Sequence, residues 1–396
     1  MDVGRLGLSH RRADRDSIPG SQLGRDCHPA RPICVKSPLT KNAVPSPSAC
    51  GGEAPDPGDA RRRPLRPRPT PRQDCRGRPV TPDSQTISAP AAILDGLQGR
   101  DCPVCGAPER GARPFLSASV DPGRIGALSF ASRKPPEYMS FRLVRCETCE
   151  TVFAAEAPGA EALARAYRDA GYDSAEEALY AARTYAQALA PRLGPEHRRG
   201  TALEIGAGSG VFLQELLDLG FAEVIGVEPS HEAVAAAPVA LRPHLRIGVF
   251  EPGAHRPGSL SLVCCFMTLE HVADPRPLTQ AAYDLLEPGG LLAFVTHDYR
   301  APINRLLGRR SPIIDIEHMQ LFCPASLRRL LGEAGFGEID IGAIRNRYPL
   351  RYWLRLLPLP GPLKPAGLAA AEALGLGQRS VGLNVGNLLS VARKPL

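Results

Sequence analysis

The chain is poor in aromatic residues, 5% of its 396, and holds a single tryptophan, Trp353. An aromatic-basic face of the kind that stacks unpaired bases has little to be built from, which disfavours nucleic acid as the ligand. The chain also lacks an apolar run of about 18 residues, so no membrane-spanning helix is expected. Its N-terminus has no apolar core between its charges, and Asp2, Asp14, Asp16 and Asp26 argue against an Arg-rich transit peptide. A soluble, cytoplasmic protein is the expectation.

Charge and proline are unevenly spread. Residues 1–98 carry 15 of the 41 prolines and 16 Lys/Arg against 10 Asp/Glu, while the remainder has 32 against 31, so the net charge of +7 belongs mainly to the first stretch. A segment such as RRRPLRPRPTPRQDCRGRP cannot bury enough apolar area to offset chain entropy and is expected to be a disordered basic tail. A nucleic-acid tether would also be basic, but the missing aromatics favour an unstructured leader or an upstream stretch from a misassigned start codon.

Eleven cysteines fall into three groups. Cys27, Cys34, Cys50 and Cys75 are scattered through the basic tail, and Cys264, Cys265 and Cys323 lie in apolar runs. The other four are paired as DCPVC and RCETC: Cys102 and Cys105, then forty residues, then Cys146 and Cys149. Two C-x2-C knuckles can set four thiolates around one structural zinc ion with no open coordination position. The spacer exceeds the usual ribbon spacing, so it must form a looped insertion. Gly106 supplies the turn after the first knuckle, and Glu150 stands where a second glycine is expected. A redox C-x-x-C or chance disulfide pairs are the competing readings. The zinc-binding module is expected over 99–155.

Residues 203–210 read LEIGAGSG, and eighteen positions after Gly210 the chain reaches Glu228 at the end of a second apolar run. The residues before the glycines suit a buried parallel strand, and VFLQELLDLG after them has helical spacing and a terminal glycine. Gly206, Ala207, Gly208 and Gly210 thus sit at a strand-to-helix turn, where backbone can approach a ligand closely. Glu228 at the tip of the next strand can accept two ribose hydroxyls. Val211 occupies the sixth place of G-x-G-x-x-G, so the loop is not shaped for a dinucleotide pyrophosphate. A tight turn in some other α/β protein is the bland reading.

The arrangement resembles motif I and the acidic second motif of the class I S-adenosylmethionine-dependent methyltransferases, with Glu204 matching the acid that family often has two residues before the first glycine. The resemblance implies S-adenosylmethionine as cofactor and an α/β, Rossmann-like, doubly wound seven-stranded sheet with helices on both faces. The order of elements over 160–345 resembles the type 11 and type 23 families, so a core over 156–345 and a C-terminal extension with a closing strand over 346–396 are expected. Within such a fold LRIGVFEPG would end near Phe250, which could pack on adenine, and Glu251, which could accept its amino group. Tyr167 and Tyr172 match tyrosines that close over the methionine end, or pack within helices.

SLVCCFM reads as a further buried strand, with Ser261 where the family usually has aspartate. It delivers Glu270 and His271 to the strand ends where ligand sites collect. Histidine is the natural base near neutral pH, and an adjacent acid can fix its tautomer, so His271 is the candidate general base and Glu270 its partner. The structural alternative makes LEHVADP a turn before a helix begun near Asp274. His297 and His318 are secondary candidates. Ser326 is expected to cap the helix that Gly335 ends. YWLRLLPLP suits a lipid surface, a long apolar substrate, a lid or a partner helix.

A four-cysteine module joined to such a core looks like the sugar C-methyltransferases, in which a Glu-His pair serves deprotonation; Thr268 stands where they have a tyrosine, and the chain after residue 345 is shorter than their C-terminal domain. The quinone O-methyltransferases share LEHV and hold a metal there, but one of their acids falls at Met267, which argues against a divalent metal at this site. Ribosomal RNA methyltransferases with a zinc module use a shorter spacing. The expected function is methyl transfer from S-adenosylmethionine to a small-molecule acceptor, a sugar, lipid-linked or quinone-like compound. An inactive zinc-module adaptor or an RNA methyltransferase is the alternative.

Overall fold

The computed structural model describes residues 93–131, 136–172, 175–357, 359 and 361–396. All of them belong to one compact unit, Thr81–Leu396. The expected basic tail lies outside the described residues except for its last six.

The unit is organised by a seven-stranded sheet: β1 (Thr201–Ile205), β2 (Glu223–Glu228), β3 (Leu245–Ile247), β4 (Leu260–Phe266), β5 (Leu286–His297), β6 (Gly337–Pro349) and β7 (Ser380–Arg393). Their spatial order is β6-β7-β5-β4-β1-β2-β3. The first five strands are mutually parallel, and β7 runs antiparallel to both β5 and β6. Parallel strands connected by crossovers are covered on both faces, which is why β4 reads LSLVCCF with every residue buried. β6, at the edge, instead alternates buried and exposed positions along much of its length.

Two apolar layers sandwich the sheet. On one side α2 (Ala175–Leu189), which follows α1 (Ala160–Arg168) in the chain, packs its Ala181, Ala182, Tyr185 and Leu189 with Phe212 and Leu216 of α3 (Val211–Asp218). On the other, α4 (Pro275–Leu285) and α5 (Pro324–Glu333) supply Leu285, Leu327 and Leu330. Val144 and Phe153 of the cysteine module join that second core. The module's strand Val152–Ala154 also pairs with Gln320–Leu321, so its small sheet continues into the core chain.

Several expected boundaries shift. Hydrogen bonding carries β6 through residue 345, where the core was expected to end, to Pro349. The third strand stops at Ile247, because Gly248 turns the chain at φ 141°, leaving Phe250 and Glu251 on the following loop. The last core helix starts at Pro324, and its cap is Cys323: the Ser326 hydroxyl accepts from the Cys323 amide and donates to the Cys323 carbonyl. Ser261, where the resemblance places an aspartate, donates to the His197 carbonyl at 2.7 Å with the Thr201 carbonyl 3.2 Å away, and so ties β4 to the approach to β1. Among the described residues no helix is long and apolar enough to cross a membrane.

Gly226 marks the tightest packing beneath the glycine loop. A Cβ there would come within 2.8 Å of the Ala207 Cβ and of Leu245, and 2.9 Å of Leu213. Gly226→Ala should therefore destabilise the fold by about 1–3 kcal/mol, read as a lower denaturant midpoint at unchanged m-value.

Candidate functional site

At the carboxyl ends of β1, β2 and β4 lies a cavity of about 380 Å³. One half is built by the glycine loop. Gly206, Gly208 and Gly210 all have left-handed backbone, at φ 77°, 55° and 71°. A Cβ at Gly206 would strike the Thr268 hydroxyl, whereas one at Gly208 would meet nothing within 4 Å. Gly206 is thus a packing glycine, and Gly208 leaves backbone open to a ligand.

Glu228 organises this half. One carboxylate oxygen accepts the Gly208 amide and the other the Ser230 amide, each at 2.8 Å. Burial raises its pKa, and the two amides oppose that shift by holding the charged form. Each oxygen keeps a further lone pair for a hydroxyl. Glu204, Ala207 and Phe250 also line the cavity. Glu251 is exposed and does not line it. Tyr172 closes over the loop, its hydroxyl 2.8 Å from the Ser209 hydroxyl.

The other half is lined by Phe130 and Ala131 from the spacer between the cysteine knuckles, by Leu163, Ala164 and Tyr167 of α1, and by His271, Leu278 and Glu317. Apart from Tyr167, His271 and Glu317 these walls are apolar. His271 Nδ1 lies 2.9 Å from the Tyr167 hydroxyl. The His271 and His318 ring centroids are 4.9 Å apart, and His318 Nδ1 donates to the Ile313 carbonyl at 2.9 Å. His271, Glu317 and His318 bring one ligand-competent atom each within 4.8 Å of one another, a donor set that suits a divalent cation.

The expected pairing of Glu270 with His271 is replaced by another. Glu270 is fully buried, and its carboxylate accepts the His297 amide at 2.6 Å and lies 3.3 Å from His297 Nδ1. Its carbonyl takes the Met319 amide. Glu270 therefore joins the end of β4 to β5 and to the segment bearing His318, a positioning role that adjacency in the chain did not suggest.

The four paired cysteines converge. Cys102 and Cys149 sulfurs are 3.4 Å apart, Cys105 and Cys146 sulfurs 3.5 Å, and all four lie within 4.8 Å. These contacts run between knuckles, unlike the C-x-x-C pairings of a redox motif. Burial pushes the Cys105 thiol up to about 11, so without a cation beside it this group stays protonated near neutral pH. Gly106 and Glu150 both turn left-handed, at φ 70° and 65°, and their amides return to the Cys102 and Cys146 carbonyls. Glu150 is held in that conformation by Arg300, 2.7 Å from its carboxylate, and by the Tyr299 hydroxyl on its carbonyl.

Arg100 escaped the sequence reading. Its guanidinium donates to the Ala154, Ala273 and Met319 carbonyls and to the Gln320 side chain, at 2.6–3.0 Å. Burial lowers its pKa to about 10. It joins the cysteine module to the loop after His271. Its place two residues before Cys102 is the only sequence signal.

Residues 176–339 match the model of the methyltransferase domain family. The chain is 31% identical over 175 residues to a ubiquinone biosynthesis O-methyltransferase of Psychrobacter arcticus, covering 38% of this chain and 65% of that protein. It is 35% identical over 101 residues to one of Albidiferax ferrireducens, covering 24% and 40%. The chain thus spans less than two thirds of these relatives' length. Among solved structures, a possible histamine N-methyltransferase of Thermotoga maritima is 20% identical over 55% of this chain and 90% of that one, at a TM-score of 0.36. The matched segment includes the glycine loop, Glu228 and His271.

Proposed function

We propose that the protein transfers a methyl group from S-adenosylmethionine to a hydroxyl of a small, largely apolar acceptor. The observation that carries this reading is a single cavity with the Glu228 carboxylate at one end and His271 at the other. On this reading Glu228 holds the ribose hydroxyls, the Gly206–Gly210 loop and Glu204 border the methionine part, and Phe250 packs on adenine. S-adenosylmethionine supplies an electrophilic methyl on a sulfonium. The acceptor oxygen forms the new bond to that carbon as the sulfur–carbon bond breaks, and His271 takes the hydroxyl proton. The apolar walls exclude water and hold the oxygen in line. The relatives' role in ubiquinone biosynthesis supports an oxygen acceptor.

The first test is calorimetry with S-adenosylhomocysteine. Glu228→Ala removes two charge-assisted hydrogen bonds and should weaken binding roughly tenfold to a thousandfold. An unchanged affinity would refute the assignment. Because burial raises the Glu228 pKa, its carboxylate is lost at higher pH than an exposed glutamate's, and cofactor affinity should begin to fall there as the solution is acidified. His271→Ala should lower turnover of a phenolic acceptor about a hundredfold or more while leaving cofactor affinity unchanged; full turnover would remove the base from the mechanism.

We further propose a structural zinc ion on Cys102, Cys105, Cys146 and Cys149. Its role is to hold the module whose spacer walls the acceptor half of the cavity. Elemental analysis of purified protein should give about one zinc per chain, and Cys149→Ser should lose it and lower the melting temperature. Protein that is fully folded and zinc-free would contradict this.

A further inference from the structure

The segment 267–274, between β4 and α4, carries His271 yet belongs to neither a helix nor a strand. It opens on Met267 in left-handed backbone at φ 52°, a conformation that a residue with a side chain keeps only when its surroundings hold it. His271, Val272 and Ala273 line the cavity. Four carbonyls of the segment, on either side of His271, are held from outside it. The Gln320 side-chain amide donates to the Leu269 and Val272 carbonyls at 2.7 and 2.9 Å. The Met319 amide donates to the Glu270 carbonyl at 2.8 Å, and Arg100 donates to the Ala273 carbonyl at 2.6 Å.

Gln320 is fully buried, and its partners fix which way its amide points. Its nitrogen meets two acceptors and its oxygen accepts from the Arg100 guanidinium at 2.9 Å, so a flipped amide would lose all three bonds. Arg100 is anchored in turn on the carbonyl of Ala154, the last residue of the module's strand Val152–Ala154, at 3.0 Å. One run of hydrogen bonds therefore leads from the cysteine module through Arg100 and Gln320 to both flanks of His271.

We propose that Arg100 and Gln320 are the positioning residues of His271, a clamp that fixes its loop from both sides and makes its place depend on the cysteine module. The inference deepens the reading of His271 as the base and rests on it. The Leu269 and Val272 carbonyls bracket Glu270 and His271, so two bonds to one amide set the shape of the turn between them. A guanidinium suits the far end because its planar fork serves the Ala154, Ala273 and Met319 carbonyls and the Gln320 oxygen at once, in directions that a lysine ammonium does not cover. None of the groups that the clamp binds belongs to the glycine loop or to the amides on Glu228, so the cofactor side stands without it.

The test is Gln320→Glu in the full chain, which keeps the size and the Arg100 contact but turns a carboxylate oxygen toward the Leu269 and Val272 carbonyls. Hydrogen–deuterium exchange of residues 267–274 should rise roughly tenfold or more, while that of residues 203–210 and the affinity for S-adenosylhomocysteine stay within about twofold. In protein labelled with carbon-13 at histidine and read at one pH, the His271 ring signal, assigned by its absence from His271→Ala, should move or split. The His231 and His244 signals should stay in place. Arg100→Lys should act in the same direction, and it decides the matter if Gln320→Glu does not fold. An unchanged loop and His271 signal would overturn the proposal. So would exchange that rises throughout the chain with loss of S-adenosylhomocysteine binding, or failure of both variants to fold, since either assigns the pair to the fold as a whole. Failure of the native chain to bind S-adenosylhomocysteine would refute the methyltransferase reading separately, because the exchange and the His271 signal are read without ligand.

Discussion

The carboxylate of Glu228 is the interaction on which the site depends. It sits at the end of β2, almost wholly buried, and binds the Gly208 amide on one side and the Ser230 amide on the other. A buried carboxylate without such partners would protonate or turn away. With them it fixes the glycine loop after β1 against the helix start after β2. The three left-handed glycines let the loop reach that carboxylate, and Gly226 beneath it leaves room for Ala207. Strand, loop and acid are one unit, and substitution at any of them reaches the others.

The second half of the cavity is assembled from parts far apart in the chain. The cysteine module contributes Phe130 and Ala131, and Arg100 carries the module to the Ala273 carbonyl just past His271. The same guanidinium reaches Met319, beside His318. The cysteine module, α1 and the strand-end histidines thus share one polar and apolar interface. The His271 side of the cavity depends on that interface, while the Glu228 side is carried by the sheet.

Much of this was legible in the sequence, for physical reasons that also explain the rest. β1 and β4 are short apolar runs bounded by turn residues, and the glycine spacing requires a strand-to-helix turn, so that half of the site could be read locally. The C-x2-C pairs carry their chemistry in their spacing. Glu270 was misread because neighbours in a chain were treated as partners, although the fold sends its carboxylate to β5. Arg100 was invisible because its partners are carbonyls 54 to 219 residues away. Phe250 was placed at a strand end that Gly248 cuts short. The spacer 106–145 has no periodic pattern of its own, and its Ile125, Phe130 and Phe141 are buried only through tertiary contacts.

The central claim is that one cavity holds S-adenosylmethionine with its ribose on Glu228 and its methyl directed to His271. A crystal structure with S-adenosylhomocysteine tests it most directly. The ribose hydroxyls should lie about 2.5–3.0 Å from the Glu228 carboxylate, with the sulfur facing the His271 side of the cavity. A ligand bound elsewhere, or one whose ribose leaves Glu228 untouched, would contradict it.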